Sequence, residues 1–428
     1  MGFVVRSHRC GCAFLFGCAM AALSAMPARA ESDFKLFGSS AIEVSGDIRL
    51  VAVDGEKAWL EGGFGKLRSG SNGELRVQPQ LGNVAIAWKP QFTWSLGATI
   101  VGALQGGQRT EAGLSQAFLT YRPMRGSKVS LSARAGLMWP SVSLEHEGAD
   151  WHVKDSITPS AINSWIGEEV RPLAAEATIG TDVGRNKVRL TAALIAANDT
   201  SGTLLTFRGW ALHDRTTLAF NRQPLPPLED EVSEYQASFT HPLLDVGPGF
   251  ASRPGYYLKL AWQAAVPVRL ELFRYDNRAD PEVVNGDSEW GWRTRFNHAS
   301  ILADLGGRTL LKAQALSGRT KMGYREPIDR WVDNRFRAAF VSLTKPFGPL
   351  ALTGRVEAFG TRNRGSKVDS EYDESGWSAM LAAKRDWKHF TGLVELLHVS
   401  SSRDDRDEIG LDPRQRQNQL QAEVRMHW

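Results

Sequence analysis

The chain has 428 residues and carries 51 Lys and Arg against 47 Asp and Glu. Its three cysteines, Cys10, Cys12 and Cys18, lie in the first thirty residues, so the rest of the chain has no disulfide framework or thiolate metal site. The near-neutral charge of residues 31–428 argues against nucleic acid as a partner, because phosphate binding needs a clustered basic surplus.

Residues 1–30 have the pattern of a cleaved secretory signal peptide. Arg6 and Arg9 precede an apolar stretch, and a small-x-small ending predicts cleavage near Ala30. We therefore expect residues 31–428 to form a single exported domain. No apolar run in that range approaches the roughly 18 residues that a spanning helix needs.

After the first forty residues the hydropathy has a period of two. Phe92, Trp94 and Leu96, for example, alternate with Thr93 and Ser95. Strand geometry places such a set on one face, whereas helical spacing would scatter it. The segments run to about 9–13 residues, close to the roughly 9–11 of a tilted transmembrane strand. Eighteen segments fit the pattern: 41–53, 73–88, 91–104, 112–122, 128–139, 173–183, 187–197, 202–211, 232–241, 255–263, 267–276, 288–303, 308–318, 333–344, 350–361, 375–385, 389–400 and 416–428.

Short turns and long loops alternate between these segments, as in a transmembrane barrel. Residues 198–254 break the rule, because a Pro-rich connection inside them is too long for a turn. If 202–211 and 232–241 belong to one large loop instead, the strand count falls from eighteen to sixteen. A change of phase in the second segment also predicts a β-bulge near Gly82-Asn83.

The last strand has the most specific pattern in the chain. Leu420, Val424, Met426 and Trp428 share one face and alternate with polar residues. This face resembles the carboxyl-terminal assembly signal of Gram-negative outer-membrane proteins. In architecture, the exported chain is similar to porin-type proteins, with a looser likeness to phosphate- and anion-selective porins.

The resemblance implies an all-β fold, a closed antiparallel transmembrane β-barrel of 16–18 strands with long extracellular loops and short periplasmic turns. It also implies an outer-membrane location, with lipid, lipopolysaccharide and the outer-membrane assembly machinery as partners and a homotrimer by analogy. The expected function is passive diffusion of small hydrophilic solutes, with some preference for anions. No cofactor or nucleic-acid partner is expected. The alternatives are a non-conducting surface or soluble β protein that binds or anchors, and an export or hydrophobic-substrate channel of the same fold.

In a barrel of this width the inner wall is polar and lines water. The alternation places both acidic and basic residues on this wall, and the basic ones are in the majority. If these bases face an acidic loop, the resulting field would favour anions. The competing interpretation is that these charges pair with one another across strands. The predicted pore-lining residues are Glu43, Asp47, Arg49, Arg76, Arg134, Arg189, Lys259, Arg269, Glu271, Lys312, Arg355 and Glu357, with Glu423 and Arg425 on the last strand.

The connection 140–172 is predicted to fold into the barrel as a constriction loop. A short helix fits inside it, with Thr158 as cap, Pro159 at the first helical position and an apolar stripe that ends near Ile166. The stripe would dock on the inner wall and turn the two final acids toward the lumen; a plain surface loop is the alternative. The predicted constriction residues are Glu145, Glu147, Asp150, Glu168 and Glu169.

Two kinds of chemistry are disfavoured by the spacing of the residues. His146 and His152 lie near carboxylates but fit no zinc pattern, so no metal site is expected. Ser143 lies near His146, yet the sequence has no Gly-x-Ser-x-Gly elbow and no phosphate-binding loop. We therefore assign no catalytic residue.

Overall fold

The computed structural model describes residues 41–106, 110–124, 128–247, 253–327 and 329–428. The predicted signal peptide and its cleavage site lie outside these residues. Sixteen antiparallel strands close into a barrel in the order of the sequence. The strands are β1 (Ile42–Val53), β2 (Arg76–Trp88), β3 (Leu96–Leu104), β4 (Ala112–Tyr121), β5 (Val129–Leu137), β6 (Leu173–Val183), β7 (Asn186–Ala197), β8 (Gly255–Gln263), β9 (Val268–Asp276), β10 (Arg295–Asp304), β11 (Leu310–Arg325), β12 (Arg330–Phe347), β13 (Leu350–Asn363), β14 (Glu374–Asp386), β15 (Phe390–Arg403) and β16 (Arg414–His427).

The barrel closes by pairing of its first and last strands. β1 and β16 share nine register pairs, beginning with Ser45 opposite His427. The backbone of Val44 also donates to and accepts from that of Trp428, at 3.0 and 2.9 Å. Closure gives each barrel strand a partner on both sides, which satisfies the backbone groups that an open sheet edge would leave unpaired.

The two ends of the barrel differ in their connections. At one end, the short-turn end, residues 184–185 join β6 to β7 and residues 348–349 join β12 to β13. At the other, the long-loop end, lie the connections 54–75, 138–172 and 198–254.

The outward faces of the strands carry exposed apolar side chains. Leu272 of β9, Val341 of β12 and Val356 of β13 are 60%, 49% and 61% exposed. An apolar wall of this kind is favourable in lipid and costly in water, because each exposed side chain would order water around it.

Three α-helices lie in the long loops that the structure describes: α1 (Ala161–Glu169), α2 (Thr203–Phe207) and α3 (Asp230–Ser233). Within the described residues, no helix is long and apolar enough to cross a membrane.

The sixteen-strand alternative is correct, and the extra strands predicted at 202–211 and 232–241 are wrong. The first range forms α2, and the second holds the end of α3 and a two-residue strand. Leu204 and Leu205 are adjacent and both fully buried. A barrel strand would turn one of them outward and the other inward, so the burial of both requires a segment that is enclosed on all sides.

The predicted bulge in the second strand is confirmed. The register of β1 and β2 shifts so that Gly82 and Asn83 both lie opposite Asp47. The Asn83 backbone N–H donates to Asp47 Oδ2 at 3.0 Å. A Cβ on Gly82 would stand 1.6 Å from an Asp47 oxygen, so the close approach needs glycine at this position.

Candidate functional site

Loops 138–172 and 198–254 enter the barrel and fill its lumen toward the long-loop end. Every residue of α1 and α2 is buried. Trp165 of α1 packs against Phe296 of β10 and Phe336 of β12, with ring centroids 5.3 and 5.2 Å apart. This part of the lumen is a hydrophobic core.

The helix predicted inside 140–172 is present as α1, with Ser160 instead of Thr158 as the N-cap residue. Ser160 Oγ accepts from the Asn163 backbone N–H at 3.4 Å. The apolar stripe, which includes Ile162, packs into the core. Its burial, rather than the intrinsic stability of a nine-residue helix, holds α1 in place.

Glu145 ties loop 138–172 to the far wall. Its carboxylate accepts from Arg355 of β13 at 2.8 Å and from Ser160 Oγ at 2.6 Å. Burial opposes ionisation of Glu145, but Arg355 and the hydrogen bonds outweigh it and lower the pKa of Glu145. Asp155 adds an ion pair with Lys312 of β11 at 2.7 Å.

Two acidic side chains of the wall hold the backbone of the same loop. Glu395 of β15 accepts from the N–H groups of Ile157 and Thr158 at 2.7 and 3.0 Å. Glu357 of β13 accepts from the Ala161 N–H at 2.7 Å. The predicted pore-lining residues Arg355, Glu357 and Lys312 therefore anchor the loop.

Glu168, near the end of α1, joins the two loops. It accepts from Arg208 at 3.1 and 2.7 Å and lies 3.2 Å from His213 and 3.6 Å from Arg215. Burial opposes ionisation of Glu168, but the charge of Arg208 and the contacts with Arg208 and His213 outweigh it and place the pKa of Glu168 far below its usual value.

Glu169 makes a different contact with the same loop. It accepts from the backbone N–H groups of Leu204 and Gly202 at 3.0 and 3.1 Å, and from Trp165 Nε1 at 2.7 Å. Burial raises the pKa of Glu169 to about 7, and the charge of Glu168 adds to this effect.

The expectation that Glu168 and Glu169 turn toward open water in the lumen is wrong. Both are 0% exposed, because loop 198–254 covers them. This cover was not predicted, because 202–211 was expected either in the barrel wall or in one large loop, with no sign that such a loop folds into the lumen.

A cavity of about 1070 Å³ lies at the short-turn end, between loop 138–172 and the wall of β3–β9. Six basic and three acidic side chains line it, so its wall has a net positive charge. Arg134 pairs with Glu176 at 2.8 Å, whereas Arg189 forms no ion pair with any described residue. The charged lining residues are Arg122, Arg134, Lys187, Arg189, Lys259, Arg269, Glu147, Glu176 and Glu271.

The cavity ends at the hydrophobic core. Toward the long-loop end of the same wall, Ile195 of β7 and Tyr257 of β8 are buried in the same hydrophobic cluster as Met138 and Trp139 of the loop. A solute that enters from the short-turn end therefore meets a packed layer in this conformation.

The other predicted pore-lining residues do not face this cavity. Arg49 lies 2.5 Å from Asp47, 2.8 Å from Asp214 and 2.9 Å from Glu423, in a cluster that loop 198–254 covers. This cluster agrees with the competing interpretation of the sequence, in which the charges of the inner wall pair with one another.

The remaining predicted residues lie at the rims and the last strand. Glu43 pairs with Lys89 at the short-turn rim. Arg76 pairs with Glu61 at 3.0 Å at the opposite rim. Arg425 donates to the loop carbonyl of Val153 at 2.6 Å.

His146 and His152 have different surroundings. His152 lies 2.8 Å from Asp150 and 3.6 Å from Glu147. Burial disfavours its charge, but hydrogen bonds to both acids outweigh burial and raise the pKa of His152 to about 9. Among the residues that the structure describes, no group of three or more acidic or histidine side chains could hold a metal ion.

An aromatic stack beside the cavity was not predicted from the sequence. His146 stacks on Trp151 and Trp151 on Trp139, at centroid distances of 3.7 and 4.5 Å, and Arg171 covers Trp139 at 5.1 Å. Ser143 Oγ lies 2.9 Å from His146 Nδ1. Burial lowers the pKa of His146 to about 3, so this imidazole is a weak base at neutral pH.

Comparison with solved structures identifies the fold. The outer membrane channel DcaP of Acinetobacter baumannii matches with a TM-score of 0.54 and 10% identity, over 91% of this chain and 99% of that one. A loop L8 deletion mutant of OmpT, an outer membrane protein of Vibrio cholerae, matches with a TM-score of 0.52 and 9% identity, over 90% and 99%. No family model and no curated protein matches the sequence. The chain thus has the fold of Gram-negative outer-membrane porins and channels.

Proposed function

We propose that the protein is a channel in the outer membrane of a Gram-negative bacterium, through which small hydrophilic solutes, preferentially anions, diffuse passively. The observation that carries the proposal is the cavity at the short-turn end, where six basic side chains face three acidic ones. A surplus of fixed cations in a narrow aqueous space attracts anions and repels cations. In this proposal the short-turn end faces the periplasm.

Permeation then requires loops 138–172 and 198–254 to move, because they close the lumen above the cavity. Their attachments to the wall and to each other include ion pairs, such as Glu145 with Arg355 and Glu168 with Arg208. Water can replace such contacts when the loops open, whereas the barrel hydrogen bonds stay intact.

Planar-bilayer recording tests the proposal. We expect discrete current steps from purified, heat-modifiable protein, and a reversal potential in a KCl gradient that indicates anion preference. The double variant, Arg189→Gln combined with Arg269→Gln, should reduce that anion preference, because it removes two of the six basic side chains of the cavity. A cation preference in the wild-type protein would contradict the proposal.

The packed core favours a second candidate, a non-conducting barrel that binds or anchors. Absence of current steps from correctly folded protein, both with and without loop 138–172, would support it. The soluble form of this alternative is disfavoured by the exposed apolar wall. The homotrimer stays a prediction.

A further inference from the structure

Four arginines lie in direct register on adjacent strands at the long-loop end of the barrel. Arg295 of β10 is opposite Arg319 of β11, and Arg319 is opposite Arg335 of β12. Arg335 in turn is opposite Arg362 of β13. We call these four residues the arginine row.

The arginine row is on the outer wall. Arg295, Arg335 and Arg362 are exposed, while Phe296 and Phe336, which follow two of them in sequence, are buried in the lumen. Since successive side chains of a strand point to opposite faces, the arginines point away from the barrel.

Below the row, toward the short-turn end, one further outward arginine, Arg337, precedes the apolar side chains of β12. On β12 the outward residues after Arg335 are Arg337, Ala339, Val341 and Leu343. The corresponding wall of β13 carries exposed Val356 and Leu352. The arginine row, with Arg337 just below it, therefore marks the upper border of the apolar wall.

The described acids beside the row leave three of its four arginines without an ion pair. Asp276 of β9 is opposite Arg295, but its ion-pair partner is Arg293, at 3.9 Å. Asp333 pairs with Arg319 and lies 3.6 Å from Lys321. Within the described residues, Arg295, Arg335 and Arg362 have no ion pair. Like charges directly opposite one another on neighbouring strands destabilise a sheet, so anions from outside the chain would stabilise the arrangement.

We propose that the arginine row binds the phosphate groups of an anionic glycolipid in the outer leaflet, while the acyl chains of the lipid cover the apolar wall below. Guanidinium groups bind phosphate oxygens with paired hydrogen bonds, and a row of four can engage more than one phosphate. The inference rests on the proposed outer-membrane location, but not on conduction. A second copy of this chain is a poorer occupant, because equivalent rows would repel each other.

Lipid binding by the purified full-length barrel in neutral detergent tests the inference, with native mass spectrometry as the readout. The probe is diphosphorylated lipid A, with its dephosphorylated form as a second ligand. The row variant combines Arg335→Gln and Arg362→Gln. The control variant combines Arg414→Gln and Arg416→Gln. The control pair is also outward and at the long-loop end of β16, but it lies opposite Ser402 and Ser400 instead of other arginines.

We expect the row variant to lose roughly 25-fold in affinity for diphosphorylated lipid A, at about fivefold for each of its two arginines, and the control to stay near wild type. Both should bind the dephosphorylated lipid equally and weakly. Equal affinity of the two variants for the diphosphorylated lipid would overturn the inference. Heat-modifiable mobility verifies that each variant is folded, and cell fractionation separately tests the location on which the inference rests.

Discussion

Glu169 is a buried acid whose pKa differs strongly from that of an exposed carboxyl. Burial raises its pKa from 4.5 to about 7 in the closed conformation. Between pH 4.5 and about 7, Glu169 keeps its proton while the loops are closed, and would release it if the loops opened and water reached it. The closed conformation therefore loses stability as the pH rises through this window.

We predict that the loops loosen as the pH rises from about 5 to 7, and that Glu169→Gln weakens this dependence because an amide does not titrate. Acrylamide quenching of tryptophan fluorescence in the purified barrel measures the change. Burial and the neighbouring Asp245 also raise the pKa of Asp199, so the test is the difference between wild type and variant. Identical pH profiles would contradict the assignment to Glu169.

Glu168→Gln is the matched control at the adjacent position. It removes the counter-charge of Arg208 and Arg215, which stay buried, at a cost of about 3–5 kcal/mol. The closed loops should therefore be weaker at every pH, with the pH step of Glu169 still present but moved to lower pH, because the charge of Glu168 contributes to the raised pKa of Glu169.

At the scale of elements, α1 and its flanking segment carry the attachments of the closed lumen. Deleting residues 145–168 removes Glu145, which binds the far wall, and Glu168, which binds the second loop. We predict a higher single-channel current in planar bilayers, since both loops lose their contacts. Deleting 72–74, an exposed part of the connection 54–75, should leave the current unchanged. Unchanged current in the first variant, with the barrel inserted, would mean that this loop does not limit the pore.

The barrel wall could be predicted from the sequence because each strand repeats one local rule. Alternation depends only on which side of the wall a residue occupies, and even the break at Gly82 and Asn83 is visible as a change of phase. The lumen follows no such rule. Leu204 and Arg208 are buried by contacts with segments far away in the sequence, so hydropathy periods could not place them.

Hydropathy periods also explain which residues of the cavity could be predicted from the sequence. Arg189 and Lys259 alternate with outward apolar residues, and their position on the inner wall follows directly. Whether an inward charge meets water or another chain segment depends on the path of the loops, as the covered Arg49 illustrates.

For the whole molecule, the seam between β1 and β16 completes the barrel. Trp428 is 61% exposed and its backbone forms two hydrogen bonds to Val44. We predict that deleting Trp428 lowers the amount of protein in the outer membrane and leaves more in the periplasm, as measured by fractionation. Trp387→Ala, which removes another exposed aromatic at the short-turn end, serves as a control. Normal insertion of the truncated chain would contradict the predicted role of this strand.

The attachment of loop 138–172 to the far wall has a mechanical consequence. The loop leaves β5 at Leu137 and is fixed across the barrel by Arg355, Lys312 and Glu395. A barrel with an empty lumen deforms easily under lateral pressure, whereas a segment that links opposite walls resists a change in the cross-section. While the loop stays attached, lateral pressure from the surrounding lipid is shared between opposite walls. Detachment of the loop would then leave a more deformable barrel, whose cross-section changes shape as the lumen opens.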